Sequence, residues 1–338
     1  MQKFYSKLME DRMSSSEIST AIYGEIEKDL PLVKICLTEL SEDTGFEFLE
    51  KMIEQSLSGT GKMMRPALAL LAGKLGNYDL EKLIPLAASV ELLHTASLVH
   101  DDVIDRADAR RGNETSNILF GNAAAVMLGD YMFAYAAEFI TRTDNINVVK
   151  KFAATLMMMV QGELKQDITV FEYSEDVQRY LDRITGKTAS LFATAAEGGA
   201  LVCNVSEIEA SALYSYGINL GIAFQIVDDV LDFAGNPSLM GKPIGSDLKS
   251  GTLTLPSILY MQQKQDDNPI KRAFDGQRKN SNFNKAISDI LDGPYIKDSM
   301  ETAQKFGSEA RNCLGKIKNK GTVDTLNQLI DYVLEREI

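Results

Sequence analysis

The chain has 338 residues, 45% of them hydrophobic, and a formal net charge of −13 at pH 7. This length allows a large core in one domain or two. The acidic balance argues against sequence-independent nucleic-acid binding and against attachment to anionic lipid by charge, because both need a basic face.

Compartment and membrane signals are sparse in the sequence. The three cysteines are few, odd in number and far apart, which favours a reduced, cytoplasmic location. The N-terminus lacks the apolar stretch of a signal peptide. The longest apolar run, residues 123–140, is interrupted by Gly129, Asp130 and Glu138. We therefore expect no transmembrane segment and interpret this run as a buried helix.

Helical periodicity runs along most of the chain. Apolar residues recur at spacings of three and four, and sustained alternation is scarce, which predicts an all-α fold. A polar stretch at 262–284 is at best a weak domain boundary, so we expect a single domain over residues 1–338. The predicted long helices cover residues 83–105, 121–141, 147–167, 175–203 and 207–233.

Three carboxylates end the first of these helices. Asp101 and Asp105 are four residues apart and share a helix face, with Asp102 at its edge. Stacked like charges destabilise a helix, and a divalent cation would remove that penalty. Oxygen ligands without His or Cys suit Mg²⁺. Taken alone, the cluster is equally consistent with a solvated acidic helix end.

A second cluster repeats this spacing. Asp228, Asp229 and Asp232 also follow an apolar helical segment. Carboxylates in such a segment are costly unless they are paired or bound to metal. The repetition therefore favours one metal site formed by both clusters.

Basic residues supply the complementary charge. Arg110 and Arg111 follow the first cluster, and arginine pairs suit phosphate oxygens. Glycines flank three lysines and allow close approach of a ligand, although a surface role is the commoner one for any single lysine. The combination predicts two phosphorylated groups, one bridged by Mg²⁺ and one held directly by cations. The other basic candidates are Lys62, Arg65, Lys187 and Lys242.

Six ordered motifs resemble those of the trans-isoprenyl diphosphate synthases, also called the polyprenyl synthetase family. Within that family the chain resembles the long-chain hepta- and octaprenyl-type members. They are GKMMRP, ELLHTASLVHDDVID, ADARRGNET, GKTASLFATA, FQIVDDVLDF and GKPIGSDLKSGTLTLP, over residues 58–256. Two positions depart from the family pattern. Met63 stands where an arginine is usual, and Thr252 stands where many members have lysine.

The resemblance implies an antiparallel helical bundle around a deep central cavity, the isoprenoid synthase fold, with the two Asp-rich helices facing each other. It also implies residue roles. Three Mg²⁺ ions would be bound by Asp101, Asp102, Asp105, Asp228, Asp229 and Asp232. The allylic diphosphate would contact Arg110, Lys187, Thr188, Gln225 and Lys242. Isopentenyl diphosphate would contact Lys62, Arg65, His94 and Arg111. The catalytic residues would be Asp101, Asp102, Asp105, Asp228, Asp229 and Lys187.

The implied reaction is a Mg²⁺-dependent prenyl transfer by ionisation, condensation and elimination. It makes a trans-polyprenyl diphosphate from isopentenyl diphosphate and an allylic diphosphate. The released pyrophosphate would accept the proton, which fits the absence of a nucleophilic triad or a dedicated general base in the sequence. We expect a homodimer, and a heteromeric partner subunit stays open.

Three alternatives remain. A terpene cyclase usually has Ser or Thr, then Glu, where Asp232 and Asn236 stand. A non-catalytic subunit of a heteromeric synthase would lack the Asp clusters. A shorter-chain farnesyl or geranylgeranyl diphosphate synthase often carries an aromatic residue where Ala96 or Ser97 stands. We expect the cavity floor along Leu93, Ala96 and Ser97, and a product longer than farnesyl diphosphate.

Overall fold

The computed structural model describes residues 23–42, 44–58, 61–110, 112–235, 243–264 and 268–336. Within these ranges the regular structure is helical except for one hairpin, β1 (Ala109–Arg110) and antiparallel β2 (Asn113–Glu114). The predicted all-α fold is confirmed. The helices are α1 Leu30–Glu42, α2 Glu47–Leu57, α3 Met64–Gly73, α4 Leu80–Ile104, α5 Ser116–Phe120, α6 Asn122–Thr141, α7 Ile146–Asp167, α8 Val177–Ile184, α9 Ser190–Val202, α10 Glu207–Ala234, α11 Ser246–Ser250, α12 Leu255–Gln263, α13 Pro269–Phe274, α14 Asn280–Asp292, α15 Tyr295–Leu314 and α16 Lys320–Leu334.

Two long helices, α4 and α10, carry the acidic motifs at their C-terminal ends. Asp79 caps α4 by accepting a hydrogen bond from the Glu81 amide, and Ser206 caps α10 in the same way through Glu209. Apolar residues surround most of each helix, so both are core helices. The aspartates therefore emerge where each core helix reaches a cavity.

Helix α9 packs very closely against α10 because small residues face each other. A Cβ at Gly217 would lie 2.5 Å from the Cα of Ala193, and a Cβ at Gly221 would lie 2.5 Å from the Cα of Ala189. Both distances are far shorter than a normal contact. Glycine at these two positions lets α10 approach the segment that leads into α9.

The predicted helix at 175–203 is interrupted. It consists of α8, a π-helical turn at Thr185–Ala189, and α9. A π-turn accommodates an extra residue within a helix and is frequent at functional sites. The hydrophobic pattern continues through the turn, which is why periodicity alone predicted one helix.

Helix α6 is less buried than we predicted. Helices α4 and α6 are both long and apolar enough to cross a membrane by length and composition alone. Of the apolar 18-residue segment in each helix, 72% is buried in α4 and 39% in α6. Core helices also pass this test. Met127 on α6 is 64% exposed. The interpretation of residues 123–140 as a buried helix is therefore wrong for one face of α6.

Candidate active site

A cavity of about 750 Å³ lies between α3, α4, α7, α10 and the π-turn. It has a charged region and an apolar wall that includes Phe133, Leu156 and Met159. Many of the residues predicted from sequence line this one cavity although they come from distant parts of the chain. They are Lys62, Arg65, His94, Asp101, Arg110, Lys187, Thr188, Gln225 and Asp228.

The three aspartates of the first motif have different environments. Asp101 lines the cavity, and its side chain is 15% exposed. Asp102 is buried, and its Oδ1 accepts hydrogen bonds from Nε and Nη2 of Arg110, both at 2.8 Å. Asp105 is exposed at the C-cap of α4. Asp102 thus orients Arg110, whereas Asp101 faces the space where a ligand would lie.

A lysine connects Asp101 to a carboxylate that we did not predict. The Lys187 Nζ lies 2.5 Å from Oε2 of Glu163 and 3.7 Å from Oδ2 of Asp101. Burial raises the pKa of Asp101 to about 6, although Lys187 acts to lower it. Burial acts to lower the pKa of Lys187, but Asp101 and Glu163 outweigh it, so that pKa is raised. Lys187 therefore stays charged.

The π-turn places Lys187 and Thr188 in the cavity. A Cβ at Gly162 on α7 would lie 2.8 Å from the Lys187 amide nitrogen, so this glycine allows the turn to approach α7. Thr188 donates a hydrogen bond to Gln225 at 2.7 Å, and Gln225 donates to Asp229 at 2.9 Å. A continuous polar chain thus joins the π-turn to the second acidic motif.

The second motif also divides its aspartates among roles. Asp228 lines the cavity and lies 2.8 Å from Nη1 of Arg336. Asp229 is buried and accepts a 2.7 Å hydrogen bond from Tyr180. Burial raises the pKa of Asp229 to about 7, and Asp247 adds to the effect. One carboxylate of this motif therefore faces the cavity directly, and a second lies behind it.

Asp232 fixes the start of α11. Its Oδ1 accepts a hydrogen bond from the hydroxyl of Ser246 at 2.6 Å, and its Oδ2 accepts one from the Asp247 amide at 3.3 Å. Asp232 is buried and does not line the cavity. The structure therefore gives Asp232 contacts that support α11, and the predicted metal role stays a prediction.

Lys62 and Arg65 form a basic group at the start of α3. The Lys62 Nζ lies 4.8 Å from the ring centroid of Tyr332, and the Arg65 Cζ lies 4.6 Å from that of Phe192. Met63 between them is buried with φ 48°, a left-handed conformation that is uncommon outside glycine. The chain therefore has a buried apolar side chain where the family it resembles usually has arginine. This side chain lies in the turn that presents Lys62 and Arg65.

The predicted cavity floor is only partly right. Ser97 lines the cavity, whereas Ala96 and Leu93 are fully buried and do not line it. Ser89 on the same side of α4 donates to the Ala136 carbonyl of α6, which is the direction that Ala96 faces. Met159 lines the cavity, but Met127 is exposed on the outside of the molecule. Met157 is also exposed and does not line the cavity.

Two predicted ligands, Arg111 and Lys242, lie outside the described residues. Conversely, sequence analysis did not find Glu163, Tyr180 or Arg336. Glu163 had one signal, a charged residue three positions after the end of the apolar run at 156–160. Tyr180 and Arg336 reach the acidic motifs through the fold, and their local sequence gives no signal.

Comparison with known proteins identifies the family. The sequence model of the family described as polyprenyl synthetase matches residues 46–290. The chain belongs to the polyprenyl synthetase family. A prenyl transferase of Synechocystis is 35% identical over 94% of this chain and 98% of its own length. Component 2 of the heptaprenyl diphosphate synthase of Geobacillus stearothermophilus is 34% identical over the same shares of the two chains.

A solved structure agrees with the sequence comparisons. A polyprenyl synthase from Caulobacter crescentus, in complex with calcium and isoprenyl diphosphate, superposes with a TM-score of 0.88 at 29% identity. The match covers 95% of this chain and 98% of that one. The family resemblance and the isoprenoid synthase fold are therefore confirmed. The protein is a trans-polyprenyl diphosphate synthase, a prenyltransferase of isoprenoid biosynthesis.

Proposed function

We propose that the protein condenses isopentenyl diphosphate with an allylic diphosphate and repeats the step to make a long-chain polyprenyl diphosphate. The observation that carries this proposal is the position of Asp101 and Asp228 on one cavity that also contains a basic group and an apolar wall. Acidic residues suit a metal-bound leaving group, cations suit a second anion, and apolar residues suit a prenyl chain.

The acidic residues fit Mg²⁺. Within the described part of the chain, no three carboxylate, His or Cys side chains converge into a ready-made metal site. Mg²⁺ commonly uses one or two protein carboxylates and completes its shell with water and substrate phosphates. The bound metal would neutralise charge on the leaving diphosphate. We propose Asp101, Asp105 and Asp228 as its direct ligands, and Asp102, Asp229 and Asp232 as their supports.

The chain's own residues would perform the remaining tasks. Lys187, fixed by Glu163, would hold the allylic diphosphate beside Asp101, and Thr188 and Gln225 would complete that contact. Arg110, oriented by Asp102, would bind the same diphosphate. Lys62, Arg65 and His94 would hold isopentenyl diphosphate. The apolar wall would exclude water from the allylic cation.

Incubation with isopentenyl and farnesyl diphosphates and Mg²⁺ tests the proposed function. We expect products longer than farnesyl diphosphate, and no product without isopentenyl diphosphate. A cyclic hydrocarbon formed from the allylic substrate alone would instead identify a terpene cyclase. No reaction unless a second protein is added would identify one component of a heteromeric synthase, as the name of the Geobacillus relative suggests for that protein.

Kinetics should separate the two diphosphate sites. Lys62→Ala and Arg65→Ala should each raise the KM for isopentenyl diphosphate roughly tenfold, because each removes a charge-assisted contact. The KM for the allylic substrate should change little. Lys187→Ala should show the opposite pattern. Varying each substrate at saturating concentration of the other measures both constants, and equal effects on the two would contradict this division.

The exposed face of α6 supports a homodimer. Large apolar residues are exposed on three consecutive helices, which is the pattern of an interface. They include Leu119 on α5, Val126 and Met127 on α6, and Met157 on α7.

The proposed location is the cytoplasm. Cys36 and Cys203 are buried free thiols, which is compatible with a reducing compartment.

Sedimentation velocity tests the dimer. We expect wild type to sediment as a dimer and Met127→Lys as a monomer, because a buried lysine without a partner is costly. Ile208→Lys is a matched control, since Ile208 is 73% exposed on α10, a different helix. A monomeric wild type, or a Met127→Lys variant that stays dimeric, would contradict the proposed interface.

A further inference from the structure

Arg336 lies two residues beyond the end of α16 and lines the cavity. It is outside residues 46–290, the region that the family model matches. Its side chain is only 11% exposed, although arginine is rarely buried without a strong interaction. The position of this cation beside an acidic motif more than a hundred residues away requires an explanation.

Four contacts hold the guanidinium. Nη1 lies 2.8 Å from Oδ1 of Asp228, and Nη2 donates a 2.9 Å hydrogen bond to the Phe224 carbonyl. Its Cζ lies 3.9 Å from the centroid of the Phe224 ring. Nε donates a 3.4 Å hydrogen bond to the Val333 carbonyl. One contact therefore depends on the charge of Asp228, whereas the other three come from Phe224 and Val333 and are independent of that charge.

This arrangement conflicts with a metal ion on the same carboxylate. A divalent cation at Asp228 would lie within a few ångströms of the guanidinium, and the two positive charges would repel each other strongly in a partly buried site. The Asp228 side chain is 39% exposed, so a cation can approach it from the cavity. Binding of the cation would therefore require Arg336 to move from Asp228.

We propose that Arg336 is an exchangeable counter-ion of Asp228. It neutralises the carboxylate when no metal is bound, and a divalent cation displaces it. Phe224 then keeps the guanidinium in the cavity, where it becomes available to a diphosphate. The inference rests on the proposed role of Asp228 as a metal ligand. Arg336 is thus a residue that couples cation binding to anion binding, and such coupling is reciprocal.

Opposite shifts in two affinities form the test. Calorimetry would measure Mg²⁺ binding to the substrate-free protein, and then inorganic pyrophosphate binding at saturating Mg²⁺. For Arg336→Gln we expect Mg²⁺ to bind about 3- to 10-fold more tightly, because a competing ion pair is removed. Pyrophosphate should bind about 10-fold more weakly, because a cation is lost. A purely structural role would weaken both.

Control variants separate the possible causes. Arg336→Lys keeps the charge and should remain close to wild type in Mg²⁺ affinity. Arg311→Gln is the matched control, because Arg311 pairs with Asp331 on α16 and does not line the cavity. It should change neither affinity. Mg²⁺ affinity of Arg336→Gln that is equal to or weaker than wild type would overturn the proposal.

Asp228→Asn distinguishes this inference from the proposed function. If Asp228→Asn leaves Mg²⁺ binding intact in the presence of pyrophosphate, the metal assignment fails and Arg336 loses its role with it. If Asp228→Asn weakens binding while Arg336→Gln behaves like wild type, only the counter-ion proposal fails.

Should Arg336→Gln misfold, the NMR signal of the Arg336 Nε–H in wild type gives the answer. It should shift during a Mg²⁺ titration, and an unchanged signal would overturn the proposal.

Discussion

Asp101→Asn and Asp228→Asn should each lower kcat by roughly 10²–10³-fold or more, because each removes a charge that acts directly on the metal and the leaving diphosphate. The amide retains the size and hydrogen-bonding shape of the carboxylate, so the loss would reflect charge. Steady-state rates at saturating Mg²⁺ and both substrates measure the effect. Near-normal turnover in both variants, with the helical circular dichroism of wild type, would refute the proposed metal site.

Thermal stability should respond differently from turnover. Burial raises the pKa of Asp101 in the folded protein to about 6, above its value in the unfolded chain. The protonated group stabilises the fold at low pH, and this stabilisation is lost as pH rises through about 6. At pH 7.5 the charged form therefore opposes folding. Asp101→Asn should therefore melt no lower than wild type at pH 7.5. The control for both activity and stability is Asp324→Asn, because Asp324 is exposed on α16.

The sequence allowed the acidic and basic elements of the site to be predicted because they are local patterns. The spacing of Asp101 and Asp105 on one helix face, repeated at Asp228, depends only on helical geometry. The lysine of the GKT sequence and the cations at the start of α3 also carry local signals. Apart from Asp105, these residues do line one cavity, since each acidic motif lies at the end of an apolar helix that the core fixes in place.

Other features depended on contacts that local patterns do not contain. Asp102 is paired with Arg110 eight residues later in the chain, and Asp232 accepts hydrogen bonds from the first residues of α11. Asp102 and Asp232 belong to the same two motifs as the cavity-facing Asp101 and Asp228, so the sequence could not separate the two kinds of aspartate. Arg336 reaches Asp228 only through the packing of α16 near α10. The π-turn at Thr185–Ala189 also escaped prediction, because one extra residue in a helix barely changes hydrophobic periodicity.

We expect product length to depend on which small residue of α4 faces the prenyl chain. Sequence analysis favoured Ala96 and Ser97 together, but only Ser97 lines the cavity. Ala96 is fully buried on the side of α4 that faces α6, as the contacts of Ser89 with Ala136 and of His100 with Val126 show. Close packing of two helices therefore explains Ala96, and space for the substrate explains Ser97.

Ser97→Phe should shorten the product by one or more isoprene units, because an aromatic ring there would fill the cavity about one helical turn below Asp101. Ala96→Phe should instead lower the melting temperature, because its ring has no room between α4 and α6, and overpacking costs about 1–3 kcal/mol. Ser97→Ala removes only a hydroxyl, which donates to the His94 carbonyl within the same helix, and should leave the products unchanged. Chromatography of the products of all three variants beside wild type decides the matter. If wild type stops at farnesyl diphosphate, or Ser97→Phe makes wild-type products, Ser97 is not the residue that leaves the cavity open to a long chain.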